Sequence, residues 1–153
     1  MKKRIIIVHG WGGSPTADWV EWATEAFREK EYEVITPEMP DTNHPIIEKW
    51  VGHLKSVVGT VDENTYFIGH SIGCQTIMRF IETLNTKVKA NLTRSVVVLG
   101  DDDPVVAYKE TKKDFETRLG SEVVTLHGVG HITSGDGFGP FPQLIEIFEN
   151  RFR

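Results

Sequence analysis

A serine between two glycines, in Gly69-His70-Ser71-Ile72-Gly73, is where this 153-residue sequence could carry out covalent chemistry. An alcohol near its free pKa is a poor nucleophile, so Ser71 needs an imidazole to take its proton and a carboxylate to orient that imidazole. Both residue types follow farther along the chain, the carboxylates in Asp101-Asp102-Asp103-Pro104 and the imidazoles at His127 and His131. Pro104 biases Asp103 away from helical geometry, so Asp103 is the preferred orienting acid and Asp102 the alternative. His131 lies in a glycine-flanked loop that can bring a side chain back over the edge of a sheet, whereas His127 sits nearer a strand end and reads as structural. Such a set would attack a carbonyl carbon. The resulting oxyanion would be met by the N–H of Ile72 at the start of a helix.

For these residues to meet, the elements carrying them must end on one side of a sheet. The apolar runs at 5–8, 32–35, 65–68, 95–99 and 122–126 read as strands, the first of them continuous and β-branched as in a parallel strand covered on both faces. Helical spacing of apolar residues follows each: a helix capped at Ser14-Pro15, one from Pro45 carrying Ile46, Ile47, Trp50, Val51, Leu54, Val57 and Val58 on one face, one from Ile72 to about Leu84, one over 107–119, and a last one from Pro140. Strand and helix in alternation predict a three-layer α/β/α domain over residues 1–153, with five parallel strands in the order 2-1-3-4-5 and right-handed crossovers. Ligands of such sheets bind beyond the carboxyl ends of the strands, where the winding reverses. The loops expected there carry residues 9–13, Ser71, Asp101 to Asp103, and His127 to His131.

Other readings of the same residues are weaker. Three adjacent aspartates do not converge easily on one cation, and no further acidic ligands are spaced around them, so no metal is expected. His9-Gly10-Trp11-Gly12-Gly13 matches neither dinucleotide nor P-loop patterns, so no nucleotide cofactor is expected. Cys74 reads as a small buried residue, and His9, His44, His53 and His70 as ordinary hydrogen-bonded or partly exposed histidines. A formal net charge of -5 without a basic cluster offers nothing to nucleic acid or to anionic lipid. A single cysteine, and an apolar start of only four residues before His9-Gly10, suit a soluble cytoplasmic protein.

The sequence resembles the small serine hydrolase family typified by retinoblastoma-binding protein 9 and the bacterial YdeN-like proteins. The resemblance runs through Ile7-Val8-His9-Gly10, Pro37-Glu38-Met39-Pro40, Ile68-Gly69-His70-Ser71-Ile72-Gly73, Asp102-Asp103-Pro104, Gly130-His131-Ile132, and Ser134-Gly135-Asp136-Gly137-Phe138-Gly139-Pro140. It implies a reduced α/β-hydrolase fold without a lid and cofactor-free cleavage of a small acyl substrate, on a triad of Ser71, Asp103 and His131. It also implies a second oxyanion donor after the first strand, at the N–H of Trp11, whose ring would wall the acyl or leaving-group pocket. The family's namesake keeps a protein partner open, through the surface from Trp11 to Trp22. Thioester cleavage and acyl transfer at the same triad are further alternatives. The chain departs from the family at residues 85–94, too short a connection for a strand plus a crossover helix. The strand at 95–99 is therefore expected to pair directly with 65–68 in a monomer, a swapped oligomer being the alternative.

Overall fold

The computed structural model describes residues 2–90, 92 and 94–152, so Asn91 and Thr93 of the short connection lie outside the described residues. It contains two compact units, residues 1–91 with 140–153, and residues 92–139.

In the first unit, β1 (Arg4–Val8) lies between β2 (Glu33–Ile35) and β3 (Thr65–Gly69), all parallel. Ile5, Ile6, Ile7 and Val8 are fully buried, which a parallel strand achieves only when both of its faces are covered. The covering helices are α1 (Val20–Glu29), α2 (Ile47–Val58), α3 (Ile72–Glu82) and α6 (Pro142–Phe152). Neighbouring residues of β3 show which helix takes which face. The Tyr66 ring meets Phe148 and Phe152 of α6, while the Phe67 ring meets Phe80 of α3. Successive strand side chains point to opposite faces, so α6 and α3 flank the sheet on its two sides and the layers are α/β/α. Phe27 of α1 packs edge-on against Phe148 at 4.9 Å between ring centroids, joining α1 to the α6 side. Trp50 of α2 is fully buried and donates from Nε1 to the Pro40 carbonyl at 2.7 Å, and with Leu54 and Val58 it forms the buried part of the expected apolar stripe, of which Ile47, Val51 and Val57 are half-buried and Ile46 is exposed.

The second unit pairs β4 (Val96–Gly100) with β5 (Glu122–Leu126), again parallel, with α5 (Tyr108–Leu119) as the crossover. Tyr108 and Thr125 hydroxyls meet at 2.8 Å and tie α5 to β5. Gly120 closes α5 in the left-handed conformation, at φ 61°.

Two expectations are corrected. The strands form two ladders, β2-β1-β3 and β4-β5, and among the described residues none joins β3 to β4 as direct pairing required. An apolar run records which faces of a strand are covered; it does not record which backbone edge finds a partner. After α3 the chain also forms a one-turn helix, α4 (Thr86–Lys89), for which no expectation was set, capped where Asn85 Oδ1 accepts from Val88 N at 3.0 Å. Finally, α1 begins at Val20 rather than at Ser14-Pro15, because Asp18 takes a positive φ of 52° and residues 14–19 close as successive turns. No helix among the described residues is long and apolar enough to cross a membrane.

Candidate active site

In the first unit, β3 ends at Gly69 and α3 begins at Ile72, leaving His70 and Ser71 to turn the chain. Ser71 sits at φ 53° and ψ -121°, a conformation that L-residues adopt rarely and at a cost of about 1–3 kcal/mol. The glycines on either side follow from close approach. A Cβ at Gly69 would stand 2.7 Å from Cys74 N, and one at Gly73 would lie 2.8 Å from the His9 carbonyl oxygen while running into that of Val8. The turn is held by Gly73 N donating to His70 O at 2.8 Å and Cys74 N to Ser71 O at 3.0 Å. These bonds leave Ile72 N–H, at the α3 N-terminus, with no partner among the described residues.

The loop after β1 comes up against this turn, since a Cβ at Gly10 would lie 3.3 Å from Ser71 Cβ. Trp11 follows it, 68% exposed, and its main-chain N–H also has no partner among the described residues. Its indole Nε1 donates to the Asn43 carbonyl at 3.0 Å, and Gly12 N donates to Thr42 O at 2.8 Å. The ring is thereby fixed at its edge with its faces open. A shallow pocket of about 330 Å³ opens beside this loop, lined by Asp41, Thr42, Asn43, His44 and Ile46.

His9 supports the same loops from below. It is buried, takes Met39 N–H on Nε2 at 3.2 Å, and therefore carries its proton on Nδ1, which donates to the Gly10 carbonyl at 2.9 Å. Burial lowers its pKa against the opposing pull of that carbonyl and of Glu38. Cys74 donates its thiol to Gly69 O at 3.1 Å, and burial pushes that thiol up to about 11, so it is not poised as a nucleophile.

The second unit places the three aspartates against the histidine loop, each with different partners. Asp103 Oδ2 receives His131 Nδ1 at 2.7 Å, with side chains only 9% and 16% exposed. A carboxylate only accepts, so Nδ1 carries a proton and donates it to Asp103. Asp103 Oδ1 takes Val105 N and Val106 N at 2.7 and 2.9 Å. Burial works against the charge of Asp103, but the bond from His131 and those from Val106 and Val105 together hold its pKa below the ordinary value. Asp102 Oδ1 instead accepts from Val129 N and Gly130 N, both at 2.9 Å. Asp101 pairs with His127 at 2.6 Å, but that imidazole is 82% exposed.

The structure thus brings His131 to Asp103, gives Asp102 to the loop backbone, and leaves His127 on the surface with Asp101. Two contributors carried no role in the sequence reading, Asn43 under Trp11 and Asp136 beneath His131. Asp136 Oδ2 accepts from His131 N at 3.1 Å, Thr133 N at 3.0 Å and Thr133 Oγ1 at 2.7 Å. The spacing Thr133-Ser134-Gly135-Asp136 is a capping-box signature and could have disclosed it.

A family model described as serine hydrolase matches residues 5–94 and 85–150, and the two matches overlap in the short connection. YdeN of Bacillus subtilis (strain 168) is 23% identical over 186 aligned positions, covering 99% of this chain and 97% of that protein. Its crystal structure superposes with a TM-score of 0.88, at 21% identity over 97% of this chain and 98% of that one. Est1E of Butyrivibrio proteoclasticus, with ferulic acid bound, gives 0.68 at 16% identity over 97% and 88% of the two chains. Alpha/beta hydrolase domain-containing protein 10 from mouse gives 0.68 at 12% identity over 98% and 89%. At these identities the likeness shows the fold, a reduced α/β-hydrolase fold with five strands among the described residues.

Proposed function

The chain belongs to the serine hydrolase family, and from that premise we propose that it cleaves small carboxylic esters through an acyl-enzyme on Ser71. Ser71 Oγ attacks the ester carbonyl as His131 Nε2 takes its proton, and Asp103 holds the imidazole by Nδ1 and stabilises the imidazolium. The carbonyl oxygen becomes an oxyanion facing the N–H groups of Trp11 and Ile72. As the tetrahedral species collapses, the C–O bond to the alcohol breaks and His131 returns the proton to the leaving oxygen. Water then repeats the sequence on the acyl-enzyme and releases the acid and free Ser71, so no redox partner or cofactor is consumed.

The observation that carries this reading is the conformation of Ser71. A serine is held at a strained positive φ of 53° by two glycines without room for a side chain, directly ahead of a helix-terminal N–H that has no partner among the described residues. Strain of this kind persists where the surroundings impose it, and an exposed nucleophile is what the turn supplies. The open faces of Trp11 support a flat apolar acyl or alkoxy group, and Est1E, which shares the fold, holds the aromatic acid ferulate. The test is a fluorophosphonate probe, which reacts rapidly only with an activated serine. Wild-type protein should label and Ser71→Ala should not; equal labelling of the two would remove Ser71 from the mechanism.

A further inference from the structure

The loop that carries His131 is held by its main chain. Residues 134–137 are exposed, and Gly128, Gly130, Ile132 and Gly137 all have positive φ. At Ile132 that value is 58°, a rare state for a β-branched residue, and it directly follows the histidine. Such a segment keeps one conformation only if something over-determines it.

Asp136 meets that requirement. One oxygen collects the His131 N–H together with both polar groups of Thr133, while the Thr133 cap closes the turn at residues 134–136. Its carboxylate also occupies the space beside Gly130, where a Cβ would come within 2.7 Å of Asp136 Cγ. The residue before the histidine must therefore lack a side chain, and the histidine's own N–H is fixed to the same carboxylate. Hydrogen bonds from Thr133, and then from His131, keep the Asp136 carboxyl below its ordinary pKa and so ionised. We infer that Asp136 is a positioning residue for the His131–Asp103 pair, fixing the main chain of His131 so that Nδ1 stays on Asp103. The inference rests on the hydrolytic reading for its consequence in rate, but its geometry is separate from that reading.

Asp136→Asn keeps an acceptor oxygen and removes the charge, and Asp136→Ala removes both. With an activated ester such as p-nitrophenyl acetate, kcat should fall about tenfold in the first and about a hundredfold in the second, with KM little changed. In a His131→Ala background neither substitution should cost anything more, because the group being positioned is gone. A further loss of the same size there would mean that Asp136 acts through general structure, and the proposal would be wrong. The second readout does not depend on turnover. In a His127→Gln background the remaining imidazole–carboxylate pair should give a downfield proton resonance from His131 Nδ1–H, which Asp136→Ala should broaden or shift upfield. An unchanged resonance would overturn the positioning role even in an active enzyme. Full activity of His131→Ala, together with a resonance in the His127→Gln protein that still responds to Asp136→Ala, would instead remove the hydrolytic reading and leave the positioning intact.

Discussion

In the proposed mechanism Ser71 and His131 have direct roles and His127 has none, and single substitutions test each assignment. The positive φ of Ser71 costs stability, and glycine occupies that region without penalty, so Ser71→Gly should raise unfolding stability by about 1 kcal/mol while abolishing turnover. Urea denaturation checks the first part, and a variant less stable than wild type would show that the turn is not strained. His131 and His127 each face an aspartate at hydrogen-bond distance, but only the first pair is shielded from water. His131→Ala should therefore lower kcat by about 10⁴ or more, and His127→Ala by no more than a few fold. Comparable losses in steady-state assays of the two variants would contradict the division between a working and a surface histidine.

At the scale of elements, the site depends on how closely α3 approaches the end of β1. Gly73→Ala forces a methyl group onto the Val8 and His9 carbonyls, so α3 must move away from the sheet. The expected outcome is a loss of several kcal/mol, or no folded protein, whereas Gly52→Ala, with open space at its Cβ, should be neutral or stabilising; thermal denaturation of both distinguishes them. This dependence was legible in the sequence because glycine, serine and glycine at fixed spacing act through local geometry. The buried strands and the Trp50 face of α2 were legible for a similar reason, since their apolar periods match the elements they form. The assignment of Asp102 and Asp103 was harder to read. Adjacent residues differ only in the direction their carboxylates take, and that direction is set by hydrogen bonds to residues 27 and 28 positions away. The two separate ladders were illegible because pairing of a strand edge leaves no mark on side-chain pattern, and α4 was hidden because one polar turn held by an Asn85 cap has no apolar period.

For the whole molecule, perturbed groups in each unit shape stability against pH. Folding lowers the pKa of Asp101, Asp103 and Asp136, so their ionised forms add stability above the unfolded carboxylate value of about 3.9, and that stability is lost as pH falls through the lower folded values. Burial also lowers His9, but for an imidazole this means that the unfolded chain takes up its proton first. Stability should therefore begin to fall below about pH 6.5 and go on falling until the folded His9 is itself protonated. Urea midpoints measured from pH 8 to 3 should show two declines, with the upper one absent in His9→Gln; a midpoint flat down to pH 4.5 in the wild type would contradict the buried neutral His9. The hydrogen-bonded thiol of Cys74 has a consequence of a different kind. It is the only cysteine in the chain, and with its pKa pushed up to about 11 it holds almost no thiolate at neutral pH. A cysteine introduced at an exposed site such as His127→Cys would be the one fast-reacting handle for a maleimide dye, so the histidine loop can be watched by fluorescence in an otherwise unaltered chain.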